Sequence, residues 1–489
     1  MVTRRNVLGA GLAAIGAGLT GAALTPMITA HNATAGTAVP QAQAGAAGMA
    51  VEPFRVALPV PPVLAPVSTV GGVDVYAVTM RRAVKEIVPG QPAEVLTYNG
   101  SFPGPTIKAR SGRPVVVRQR NLLDMPTSVH LHGASVPHRS DGAPMDTIAP
   151  GAGRSYVYPN RQPHASLWYH DHAHHMESEH VYRGLSGSYL LTDHTERRLP
   201  LPSGAYDIPI AIRDVHLDES GQLVYVMGDR NRTTLLANGV PYPYVAVAAR
   251  KYRFRLLNSA NTRSFRLRLA DGGPIVQIGS DGGLLPGPHT TDSVYLSAGE
   301  RADVVIDFSR YPVGTQLVLQ NTTGSGPADQ IGQVLRFDVT RTAHDPSFVP
   351  PVLRTLRPLP EATAERSIEL RMDEGGTTPP KAYIDGKTYD PDRVDSLVRH
   401  GASEIWTVTN PNKIVPHNFH MHLVQFRVLE RNGKEPDPGE VGLKDTVMLM
   451  PGETVRLQAT FDTYRGAYVY HCHMLDHSAM GMMATMKIA

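Results

Sequence analysis

The chain has 489 residues, with 47 Lys and Arg against 44 Asp and Glu, for a formal net charge of +3 at neutral pH. That length exceeds a single hydrophobic core and predicts several domains. The near-neutral balance, with no basic run past residue 6, excludes a surface built for nucleic acid or anionic membranes, and the lone cysteine, Cys472, excludes an internal disulfide.

The first predicted element is a targeting segment. Arg4-Arg5 precedes an uncharged Ala/Gly/Leu stretch to about Leu24, with Ile28-Thr29-Ala30 as an A-x-A-like cleavage site. Residues 1–30 therefore read as a twin-arginine signal peptide. The expected destination is the extracellular space, cell envelope or periplasm, with no membrane attachment after cleavage. Residues 31–51 are an Ala/Gly/Gln-rich flexible linker. A first domain is expected over 52–195, with strand-like runs at 113–118 and 186–191, and a second over 196–345, with strands at 251–257 and 302–307. The arginines from Arg250 to Arg268 alternate with apolar residues, as on the solvated face of a strand. A Pro-rich linker at 346–362 leads to a third domain at 363–489. Abundant Gly (45) and Pro (41), with short Val- and Thr-rich runs, make the class all-β.

Ten histidines, Cys472 and Met482 fall into four clusters in the first and third domains: His130 and His132; His170 and His172; His417, His420 and His422; and His471, Cys472, His473, His477 and Met482. On a strand, residues i and i+2 share a face, so each His-x-His offers two imidazoles side by side. In His471-Cys472-His473 the thiolate faces one way and both imidazoles the other, so one stretch touches two metal centres. Cys472, His417 and His477 with a distant Met482 thioether make a blue-copper electron-transfer set. The other eight histidines form a second centre. Structural zinc would favour Cys-x-x-Cys pairs, and catalytic zinc would need only three ligands. A helical dicopper site would space its histidines by four.

Among the remaining residues, Asp171 is a candidate acceptor for a ligand imidazole. His174, His175 and His180 suit packing better than a further metal. Met474, Met480, Met483 and Met486 suit packing around the copper site. The second domain carries only His216 and His289 outside the pattern and reads as a spacer without ligands.

The four clusters resemble the ligand motifs of the multicopper oxidases, the laccase-like family. The segments 166–173 (SLWYHDHA), 250–257 (RKYRFRLL) and 442–446 (GLKDT) are similar to those of bilirubin oxidase and bacterial spore-coat laccases. The resemblance implies three cupredoxin-like Greek-key β-sandwich domains and four coppers. His130 and His420 would hold type 2 copper. His132, His170, His172, His422, His471 and His473 would hold the type 3 pair, and His417, Cys472 and His477, with Met482 axial, type 1. It also places a proton-relay carboxylate at Asp141, where Asp141-Gly142 alone signals a turn. Two positions depart from the family: Asn418 stands where proline follows the first histidine of the third motif, and Ser478 where an acid follows the last type 1 histidine.

The implied activity is oxidation of phenolic, aminophenolic or bilirubin-like donors at type 1 copper, coupled to reduction of dioxygen to water, by a monomer. Oxidation of Cu(I) or another metal ion is an alternative, weakened because residues 346–416 contain only Met372. A copper-binding coat or sequestration protein would not require two kinds of site. The targeting segment yields a prediction: Arg4→Lys with Arg5→Lys leaves uncleaved precursor in the cytoplasmic fraction on immunoblotting, and undiminished export would mean another route.

Overall fold

The computed structural model describes residues 49–375 and 380–489. The expected signal lies outside the described residues, as does the linker except for 49–51, where Met49 donates its amide to the Leu217 carbonyl at 3.2 Å. The described strands form six sheets, two in each of three cupredoxin-like domains. In the first domain the long strand Val73–Val88 pairs antiparallel with Gln91–Tyr98 and parallel with Val115–Asn121, which pairs with Gly153–Tyr158. The facing sheet runs Gly104–Arg110, Ser186–Thr192, Ala165–Asp171, Val129–His132. Parallel neighbours distant in sequence reflect Greek-key crossovers. The second domain packs a seven-stranded against a five-stranded sheet, and the third packs two of five. No helix or strand lies between Thr342 and Ala364, where proline is dense.

Alternation explains the cores. In Val115–Asn121 the side chains of Val115, Val117 and Asn121 point inward while Arg118 and Arg120 reach solvent. In the third domain Trp406, Phe419, Phe426 and Tyr470 fill the space between the sheets.

The arginine-rich stretch departs from expectation. Arg266 is exposed on its strand, but Arg250, Arg253 and Arg255 are buried. Lys251–Asn258 is an interior strand of the seven-stranded sheet, covered on both faces, so alternation there does not separate core from solvent. Arg253 reaches Glu196 at 2.6 Å and also pairs with Asp303, and Arg255 forks onto Asp207 at 2.8 and 2.7 Å. Arg253 also donates to His164 Nε2 of the first domain at 3.0 Å, so the network joins the first two domains. Removing one partner of a buried pair strands the other charge, so Arg253→Ala should lower unfolding stability by about 3–5 kcal/mol. A denaturant midpoint unchanged from that of the parent would show that the network carries no such weight.

Candidate metal centre

Two strand pairs, one in each terminal domain, position the histidines. Val129–His132 runs antiparallel to Ala165–Asp171 with His130 opposite His170. His417–Met421 runs antiparallel to Gly466–His471 with His420 opposite His471. The histidine-bearing faces meet across the domain boundary: the His130 ring stacks on His422 with centroids 3.7 Å apart, and His132 on His420 at 3.8 Å.

Ligand atoms converge within 4.8 Å in four fully buried groups of interest: His132, His170 and His473; His172, His422 and His471; His130, His420 and His422; and His417, Cys472 and His477. Nε2 atoms of His172 and His422 lie 3.2 and 3.3 Å from Nε2 of His471. All ten histidines and the cysteine singled out from the sequence are thus brought together. His174, His175 and His180 join none of these groups among the described residues.

The outward-facing nitrogens are held by the protein. Nδ1 of His130, His170, His420 and His471 donates to the carbonyls of Asp141 (2.6 Å), Asp171 (2.8 Å), Asp445 (2.7 Å) and Cys472 (3.0 Å). A carbonyl accepts only from N–H, so the other nitrogen of each ring presents a lone pair inward. Carboxylates do the same for His422, at 2.8 Å from Asp141 Oδ2, and for His132, at 2.9 Å from Asp445 Oδ1. Nε2 of His130, His170 and His420, Nδ1 of His132 and both ring nitrogens of His473 are buried without a partner. Each unpartnered polar atom costs about 1–3 kcal/mol, a cost that bound cations offset. Burial, reinforced by neighbouring imidazoles, holds His130, His132, His170, His172, His422, His471 and His473 well below the usual histidine range, and brings His420 to about 4 against the pull of Asp445. Neutral, inward-facing imidazoles fit copper.

The second set is equally closed. His417 Nδ1 and Cys472 Sγ lie 3.1 and 3.6 Å from His477 Nδ1, and His417 Nε2 is held by Asn412 Oδ1 at 2.9 Å. Burial brings His417 to about 2 and His477 to about 4, and pushes the Cys472 thiol up to about 12. A cation is what would draw the proton off that thiol. Met482 is fully buried in the same core, its carbonyl accepting the Cys472 amide at 3.1 Å.

Family models described as multicopper oxidase match residues 80–196, 212–336 and 361–489. A laccase from Bacillus subtilis is 35% identical over 90% of this chain and 99% of its own length. A bilirubin oxidase from Albifimbria verrucaria is 38% identical over 88% of this chain and 80% of its own. The chain belongs to the multicopper oxidases. Its fold matches that of a laccase from Pediococcus acidilactici with a TM-score of 0.82 at 33% identity, covering 90% of this chain and 96% of that one. This multicopper oxidase is therefore a copper-binding oxidoreductase.

Several residues of the oxidase escaped the spacing argument. Asp445 receives a bidentate fork from Arg301, 2.7 and 2.6 Å, and Gln425 at 2.8 Å. Burial raises its carboxyl, but Arg301 outweighs that and holds it below the usual range, so it stays an anion for His132. Arg301 belongs to the second domain, which adds no side chain to the convergent groups but, through Asp445, orients His132 within one of them. Gly299 of the same domain lies with φ +87°, and a Cβ there would come within 2.7 Å of His473 Nδ1, so only glycine lets the backbone pass. Asp171 accepts from an imidazole as expected, but through its backbone: its carbonyl holds His170, while its carboxylate accepts from Ser128 N, Ala173 N and His180 Nδ1. At the first departure from the family, Asn418 does what proline could not. Its Nδ2 donates to Ala298 O at 2.7 Å, and its Oδ1 takes the Met474 amide at 2.9 Å and the Cys472 sulfur at 3.5 Å.

Asp445→Asn removes the anion facing His132 and half of the Arg301 fork. Copper retention against a graded chelator should fall about 10–100-fold, and retention equal to that of the parent would mean that the imidazole needs no such anchor.

Proposed function

We propose that this multicopper oxidase carries four coppers and couples four one-electron oxidations of phenolic, aminophenolic or bilirubin-like donors to reduction of dioxygen to two waters. His417, Cys472 and His477, with Met482 axial, would hold type 1 copper. His130 and His420 would hold type 2, and the remaining six histidines the type 3 pair. When bound, copper supplies one-electron transfer at the first set and dioxygen reduction at the second. One observation carries this reading: in His471-Cys472-His473, consecutive residues reach three of the convergent groups, Cys472 the His417/His477 set and its neighbours the two others. Donor-side and oxygen-side chemistry are then joined by a few covalent bonds and by the His471 Nδ1–Cys472 O hydrogen bond of 3.0 Å.

Asp141 suits the proton-relay role that the resemblance implies. Its Oδ2 accepts from His422 and its carbonyl from His130, so it touches ligands from both terminal domains, while its Oδ1 is buried without a partner. The Asp141-Gly142 turn is part of that placement: Gly142 has φ +74°, and a Cβ there would meet the Val129 carbonyl at 2.2 Å.

The donor side opens beside His477 onto a cleft of about 720 Å³, within the roughly 300–1,000 Å³ usual for small-molecule sites. Met227, Met372, Met448, Met450, Met474 and Met480 line it. These thioethers are scattered in sequence and gathered by the fold. Soft sulfur ligands favour Cu(I), which supports cuprous-ion oxidation as a second reading.

Metal analysis should return four coppers in an intensely blue protein, and Cys472→Ser should remove the colour and nearly all donor oxidation. Oxygen uptake with phenols, aminophenols, bilirubin, Cu(I) and Mn(II) ranks the donors. Uptake with Cu(I) alone would replace the first reading with the second, and a blue Cys472→Ser protein would overturn both.

A further inference from the structure

Reduction of dioxygen to two waters consumes four protons with its four electrons, and the cluster that would receive them is walled by neutral, buried imidazoles. A buried carboxyl outside these groups stands where the first and third domains meet. Glu177 opens the helix Glu177–Arg183, which follows His172 in sequence and packs on the helix Leu475–Ala479 of the third domain. Ser478, next to His477, donates its hydroxyl to Glu177 Oε1 at 3.0 Å. Oε2 is buried with no hydrogen-bond partner, and both residues are inaccessible to solvent. This is the second departure from the family pattern seen in three dimensions: the acid absent at Ser478 is present across the helix interface.

The surroundings of Glu177 favour a held proton. No lysine or arginine pairs with it among the described residues. On its own domain it faces Asp171 and His180, which are joined to each other at 3.1 Å. From the third domain it faces Ser478 and Tyr389, while Asp476 on the opposing helix is taken up by Arg232 at 3.0 Å and by Ser178. An uncompensated buried carboxyl keeps its proton more readily than an exposed one.

We propose that Glu177 is a proton-relay residue for dioxygen reduction, linked through the Ser478 hydroxyl to the His477 end of the copper region and separate from Asp141. The inference rests on the oxidase reading above. Burial pushes the Glu177 carboxyl up to about 8 against the opposing effect of its own amide and of Ser478, so it carries its proton at neutral pH. In turnover the carboxyl passes its proton to the Ser478 oxygen as that hydroxyl gives its own proton onward toward the copper region, the hydroxyl then turns back to hold the carboxylate, and solvent protonates Glu177 again. The donor supplies the four electrons, and the four protons enter from solvent through this relay and Asp141. The donating form is the protonated one, so the contribution is present below the folded pKa and lost as pH rises through about 8.

The test uses the copper-loaded full chain and its E177Q, E177D and S478A variants. Donor is added anaerobically and bleaching of the blue band is timed, then oxygen is admitted and its recovery is timed across pH 6–9. In E177Q, bleaching should match the parent while recovery slows by at least about tenfold, at the low end of what a positioned acid contributes, and the alkaline fall of the parent profile should disappear. E177D should restore part of the rate, and S478A should slow recovery less than E177Q. Infrared difference spectra of the loaded protein should show a protonated-carboxyl band that titrates on the alkaline side of neutrality and is missing from E177Q. Recovery in E177Q as fast as in the parent, or a parent without that band, overturns the inference. A parent protein that neither bleaches with donor nor recovers with oxygen overturns the oxidase reading itself.

Discussion

Everything in this molecule is arranged around eight imidazoles that are buried at a domain boundary, kept neutral, and turned so that their free lone pairs face one another. Left alone, such a cluster destabilises the fold, because partnerless nitrogens lose the hydrogen bonds that water gave them. The protein tolerates this by spending its backbone carbonyls and two carboxylates on the opposite ring edges, at His130, His170, His420, His471, His422 and His132. Those contacts fix both tautomer and ring direction, and the rings then define where a cation can sit. The His130–His422 and His132–His420 stacks make the ligand cluster and the seam between the first and third domains one and the same surface.

The second domain has no ligand in this scheme, yet it sets the geometry of the seam. Its Arg301 forks onto Asp445, its Gly299 lets the chain pass against His473, and its Ser297–Ala298 backbone accepts the Asn418 amide. Through Arg253 it is also tied to His164 of the first domain. The middle of the chain thus acts as a brace that holds the two ligand-bearing ends in register.

The convergent histidines were legible because a strand has a period of two. His-x-His is a local pattern, so all ten histidines and Cys472 could be read from spacing alone. The all-β class was likewise legible, with the strand runs at 186–191, 251–257 and 302–307 recovered within a residue or two as Ser186–Thr192, Lys251–Asn258 and Arg301–Asp307. What escaped was non-local. Asp445 and Arg301 lie 144 residues apart, and Ser478 and Glu177 lie 301 apart, so no window of sequence holds both partners. Arg253 and Arg255 were misread because an alternating pattern looks the same whether the charged face meets water or a second domain. The cleft methionines stand at positions 227, 372, 448, 450, 474 and 480, so scarcity in one segment says nothing about what the fold gathers.

Splitting the convergent histidines between the two ends of the chain has a consequence for synthesis. His172 and His471 are 299 residues apart, so at about 5–20 residues per second roughly 15–60 s separate their emergence from the ribosome. Through that interval the first domain presents four imidazoles, His130, His132, His170 and His172, with no partner to close over them. By the Irving–Williams order an open cluster of imidazoles binds copper most tightly, but which divalent ion occupies it depends on which is available. The cluster closes only when His471 and His473 arrive at the far end of the chain.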